Sequence, residues 1–96
     1  MEKLAHYTVE LRRPQTGWRE LQQATARARQ AAEQPGDEGA RVRFLRSIFV
    51  PEDDACFFLY EGASAQAVKA AATRARLGVV RVDEALRLDL EGEETT

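Results

Sequence analysis

The chain is poor in the residues that usually announce a chemistry. Its 96 residues include one cysteine, one histidine, one methionine and one tryptophan. A lone cysteine, Cys56, excludes an intrachain disulfide and fits a reducing cytoplasm. Excess charge of one sign is also missing, with 14 Lys and Arg against 16 Asp and Glu. A balance of that kind gives no broad basic field for nucleic acid or an anionic membrane. No apolar run approaches the roughly 20 residues of a membrane span. The first residues, Met1 to His6, lack the basic start and apolar core of a signal peptide. A soluble, cytoplasmic protein with neither a nucleic-acid nor a membrane partner is expected.

What is present is periodicity. Ala5, Tyr7, Val9 and Leu11 alternate with His6, Thr8, Glu10 and Arg12, the period of a strand with one apolar face. Pro14 ends it. Thr16 is placed to cap a helix whose apolar stripe is Trp18, Leu21, Thr25, Ala28 and Ala32, and Pro35-Gly36 stops that helix. A second strand spans about Arg41 to Val50, and Pro51 to Asp54 is a solvated turn rather than a cation loop. The third strand, Ala55 to Tyr60, is apolar at every position, so both of its faces need cover. Ser64 caps a second helix with Ala65, Val68, Ala71, Ala72 and Ala75 as its buried stripe, and Gly78 ends it. A fourth strand begins near Val79, and the alternation of Leu86, Leu88 and Leu90 extends it as an arm.

The order βαββαβ predicts an α+β, ferredoxin-like fold, a four-stranded antiparallel sheet with strand order 4-1-3-2 and two helices on one face. Residues 1–90 form a single domain and residues 91–96 a flexible acidic tail. A chain this short buries only somewhat more than about 60% of its unfolded surface. The open face of the sheet would display one of the two apolar sets of the third strand, either Cys56, Phe58 and Tyr60 or Phe57 and Leu59. A second copy packed against that face covers it and makes a homodimeric α+β barrel. His6, Thr8 and Glu10 of the first strand, with Phe58 and Tyr60, then line a partly polar cavity suited to a small ligand.

The run from Phe44 to Ser64 (FLRSIFVPEDDACFFLYEGAS) and its continuation through Ala75 resemble a family of small bacterial proteins, some of whose members are described as nickel-binding. The shared pattern is an aromatic and a serine in the second strand, an acidic turn, Cys-Phe and a tyrosine in the third, then a helix opened by serine. Tyr7 to Leu11 is similar to the family's first strand. The resemblance covers roughly residues 41–82 and implies a ferredoxin-like homodimer, with nickel as the candidate cofactor. The metal-binding members place histidine in the second strand where this chain has Arg46.

Three site readings follow from the residues. His6 and Glu10 fall on one strand face and, with Cys56, form a candidate nickel or zinc set. The bland alternative is a polar histidine beside a small buried cysteine. His6 and Glu10 instead make an acid/base pair for a dimeric-barrel enzyme of monooxygenase or isomerase type, or simply line a wet interface. With neither, the chain is a pure protein-interaction module. Arg41 and Arg43 share one strand face and Arg46 takes the other, the pattern of a charged edge strand. Phe57, Phe58 and Tyr60 in a central strand are core and dimer packing rather than an RNA-stacking platform, because the expected Gly-aromatic pattern is absent. Trp18 is read as an anchor in the helix core.

Overall fold

The computed structural model of the chain describes residues 4–12, 17–34, 41–78 and 81–86. The elements are β1 (Ala5–Arg12), α1 (Trp18–Glu33), β2 (Val42–Val50), β3 (Ala55–Gly62), α2 (Ala65–Arg74) and β4 (Arg81–Ala85). A single 3-10 turn, Pro51–Asp53, joins β2 to β3. Asp54 closes that turn in the left-handed region at φ 53°, a conformation that aspartate tolerates better than most residues. The sheet order is β2-β3-β1-β4 with every neighbour antiparallel, which is the ferredoxin-like arrangement expected from the element order. Pro14, Thr16, Pro35-Gly36, Val79, Leu88, Leu90 and the 91–96 tail lie outside the described residues, as does any continuation of β4 beyond Leu86.

Both helices cover the same side of the sheet. Their buried stripes are built largely from small residues, Ala24, Ala28, Ala31 and Ala32 of α1 and Ala71 and Ala72 of α2, which lets the helices approach the sheet closely. The larger core groups come from the strands: Tyr7, Val9, Phe44, Phe58 and Tyr60 are all buried. Phe44 meets Tyr60 edge-on at 5.4 Å between ring centroids, a favoured aromatic geometry. Trp18 departs from its expected role. It is the first residue of α1 and remains 66% exposed, because the core stripe of α1 runs through Leu21 and its alanines instead.

The helix ends show how backbone groups are satisfied. Gly17 is the N-cap of α1, and its amide donates to Glu20 Oε1 at 3.0 Å. Ser64 Oγ accepts from the Ala67 amide at 3.1 Å, as the capping pattern predicts. At the C-terminus of α2 the Arg76 amide donates to Thr73 O and the Leu77 amide to Ala72 O, with Arg76 at φ 59° and Leu77 buried behind it. This is a Schellman closure in which arginine takes the left-handed position that glycine usually fills. The expected stop at Gly78, also left-handed at φ 68°, falls two residues later. Arg27 of α1 adds a cation to that end, its Nε donating to Ala75 O at 2.9 Å. Arg74 of α2 in turn donates from Nη2 to Ala31 O at 3.3 Å.

Two substitutions test this packing. The Tyr60 hydroxyl is fully buried and makes no hydrogen bond among the described residues. Burial pushes its pKa up to about 12, although the Arg74 cation pulls the other way. Tyr60→Phe is expected to raise stability at neutral pH by about 1 kcal/mol, by removing an unpartnered polar group. The raised phenol pKa also sets a pH dependence. Below pH 10 the group is protonated in both states. Between pH 10 and about 12 the unfolded chain ionises first, so stability falls as pH rises, by about 2–3 kcal/mol. Urea denaturation across that range should show this component in the wild type and not in Tyr60→Phe. Gly62 ends β3 under α2, where an added Cβ would lie 2.7 Å from Val68 Cγ2. Gly62→Ala is expected to cost roughly 1–3 kcal/mol, and a thermal melt of Gly62→Ala/Val68→Ala should recover part of the loss.

Candidate functional site

Cross-strand register decides which side chains share a face. Tyr7 pairs with Tyr60, Val9 with Phe58 and Leu11 with Cys56. All of these point to the helices, and Tyr7, Val9, Cys56, Phe58 and Tyr60 are buried there. On the other side His6 pairs with Glu61, Thr8 with Leu59 and Glu10 with Phe57. The second neighbours of these β1 residues are Ala85, Asp83 and Arg81 of β4. The open face therefore carries His6, Thr8 and Glu10, as the alternation in β1 implies, with Phe57 and Leu59 as its central apolar groups.

This divides the residues that the sequence had grouped. Phe58 and Tyr60 are core residues beneath the helices and do not join His6, Thr8 and Glu10 in one cavity. Cys56 is likewise on the helix side, so His6, Glu10 and Cys56 do not form a metal set. Among the described residues no three His, Cys, Asp or Glu side chains are close enough to hold an ion. His6 and Glu10 are four residues apart, about 13 Å along an extended strand, too far to share a proton directly. Burial also pushes the Cys56 thiol pKa up, which disfavours the thiolate that binds metal or attacks an electrophile.

The second strand holds a feature that alternation alone conceals. Phe44 pairs with Tyr60 and Ser47 with Phe58, so both face the helices, with one residue too many between them. Leu45 is the extra residue of this bulge. Its effect is to reset the parity of β2. Arg43 faces Glu61 and Arg46 faces Leu59, which puts both arginines on the open face rather than on opposite faces. Beyond the bulge, Ile48 pairs with Phe57 on that same face and is 49% exposed.

A hollow of about 480 Å3 lies where these groups meet, with His6, Arg43, Arg46 and Glu61 as its polar lining and Leu45 and Leu59 among its apolar walls. Arg43 Nη1 and Glu61 Oε1 are 3.9 Å apart, a long contact, and the Arg43 side chain is 73% exposed. Arg46 has no ion-pair or hydrogen-bond partner among the described residues. A larger cavity of about 750 Å3 runs between α1 and β2, bordered by Trp18, Leu21, Phe44 and Phe49. Several of its polar groups already bond each other: Thr25 Oγ1 lies 2.8 Å from Ser47 Oγ and 2.9 Å from Leu21 O. Arg29 stacks over the Phe44 ring at 5.9 Å. Arg46 borders both cavities; the smaller one adds Arg43, whose contact with Glu61 is long and exposed, and it is the better candidate for that reason.

Sheet topology and this one-sided helical cover define a ferredoxin-like α+β protein whose second sheet face is not covered by either described helix. The crystal structure of a protein from Streptomyces coelicolor A3(2) has the same fold, with a TM-score of 0.69 and 26% identity over 88% of this chain and 100% of that one. No family model matches the chain, and no curated protein matches it. No helix of the described residues is long and apolar enough to cross a membrane.

The placement of Cys56 has a direct consequence. At 1% exposure, the native thiol is expected to react with iodoacetamide on the order of 100-fold or more slowly than in the urea-unfolded chain. Mass spectrometry of alkylated protein over time measures the ratio; comparable rates would place Cys56 at the surface.

Proposed function

We propose that the chain is a small cytoplasmic homodimeric binding protein. Two copies pack through the open faces of their sheets as an α+β barrel and hold a small ligand between them without turning it over. The observation that carries this reading is the open face itself, where Ile48, Phe57 and Leu59 form an apolar centre beside the polar hollow. Both described helices lie on the other side, and Phe57 and Leu59 remain partly exposed, although Glu10 on the same face is buried at 7% exposure.

The apolar centre of the face favours a second copy as the occupant. A two-fold axis parallel to the strands sets β2 of one protomer opposite β4 of the other. The apolar centres of Ile48, Phe57 and Leu59 then meet in the middle, and Arg43 and Arg46 stay beside the hollow at the β2 side. The resemblance of the Phe44–Ser64 run to a family of homodimers agrees with this arrangement.

An organic ligand suits the face better than nickel. The donor set expected for a metal is split between the two sides of the sheet, and two guanidiniums beside His6 repel a cation. The same spacing argues against His6 and Glu10 as a coupled acid/base pair.

Sedimentation at micromolar concentration should give twice the mass of the chain, and Leu59→Glu should give the single-chain mass with its helical circular dichroism retained. Native mass spectrometry with added nickel or zinc should show no stoichiometric metal. A wild-type monomer would remove the dimer. One nickel per protomer, lost in His6→Ala, would restore the metal reading.

A further inference from the structure

We infer that the ligand of the open face is an organic anion with an apolar body, its charged group held between Arg43 and Arg46. The inference rests on the open face being the binding face, as proposed above, and names the chemical class that this face selects.

The bulge at Leu45 carries the argument. In a regular strand Arg43 and Arg46, three residues apart, would point to opposite sides. The extra residue brings them to one side, opposite Glu61 and Leu59, which are two positions apart on β3. Same-face neighbours on a strand are separated by about 7 Å, so the two guanidiniums can converge on a single carboxylate or phosphate. Arginine matches such groups with paired N–H donors. Arg46 has no partner among the described residues, and the contact of Arg43 with Glu61 is long and solvent-exposed, so both cations are available.

The remaining lining sets the rest of the ligand. Leu45 and Leu59 offer apolar surface next to the guanidiniums, and the volume of about 480 Å3 falls within the usual range for a small-molecule site. Glu61, directly across from His6, places one carboxylate at the side of the hollow. A ligand with a single anionic end and an apolar remainder fits there. Glu61 also faces Arg43, so it already offsets part of the cationic charge, and a monoanion suits the hollow better than a dianion. Across the sheet Arg81 and Asp83 neutralise each other through a 2.6 Å pair and add no net charge. A charged edge strand explains one exposed arginine per turn of the pleat. It does not explain a break in the ladder that aligns two of them over an apolar wall.

Hexanoate, hexanamide and inorganic phosphate separate the contributions. Titrated into the full-length protein and followed by the arginine Nε–H signals in nuclear magnetic resonance spectra, hexanoate should saturate. Hexanamide, which lacks the charge, and phosphate, which lacks the apolar body, should each bind at least about tenfold more weakly. Arg43→Gln and Arg46→Gln should each weaken hexanoate at least about tenfold, with unchanged thermal melts because both side chains are exposed. Equal binding of hexanoate and hexanamide, hexanoate binding that ignores both substitutions, or no saturable hexanoate binding would overturn the assignment. Sedimentation of the same samples keeps the two readings apart. A monomer that binds hexanoate through Arg46 keeps the anion site and removes the dimer; a dimer indifferent to hexanoate does the reverse.

Discussion

Apolar side chains on both faces of β3 are the constraint from which the rest of the molecule follows. This strand lies inside the sheet, hydrogen-bonded to β2 on one side and β1 on the other. Cys56, Phe58 and Tyr60 need the helices above them, and the small residues of α1 and α2 let the helices come close enough to exclude water. Phe57 and Leu59 are left on the far side with no second layer among the described residues to cover them. A strand that is apolar on both faces is stable only when both are shielded. The fold meets half of that requirement within one chain, and the proposed dimer meets the other half.

The bulge in β2 gives the uncovered face its polar character. Without it, Phe44 would remain in the core but Ser47 and Phe49 would turn outward and Arg46 inward. The extra residue keeps Ser47 within reach of Thr25 on α1 and leaves Phe49 packed against the core. The same residue turns Arg46 toward Arg43. A single local irregularity therefore serves the packing of one side and the charge of the other. That double role explains why an edge strand tolerates the loss of regular ladder bonds.

The candidate site was legible only in part for the same reason. His6, Thr8 and Glu10 were readable as one face because β1 alternates cleanly between apolar and polar. β3 does not alternate, so nothing in its own residues says which set faces the helices, and Phe58 with Tyr60 fits the cavity by sequence as well as Phe57 with Leu59 does. A one-residue change of register exchanges the two sets, and it is the pairing with β1 that fixes it. Cys56 follows the same parity and leaves the metal set incomplete. By size and spacing alone Trp18 fits a core anchor. In an alanine-rich helix, however, two overlapping stripes satisfy the same spacing, and contact with the sheet selects the one without Trp18.

The sequence by itself determined the element order, the antiparallel ferredoxin-like sheet, the Ser64 cap and the acidic turn before β3. Each rests on interactions between residues close in the chain, or on a period that a single strand or helix carries alone. Tertiary structure decided the face of β3, the break in β2 and the partnership of Arg43 with Arg46. Those depend on how one strand registers against another, and the energy that sets a register is spread over side chains far apart in sequence.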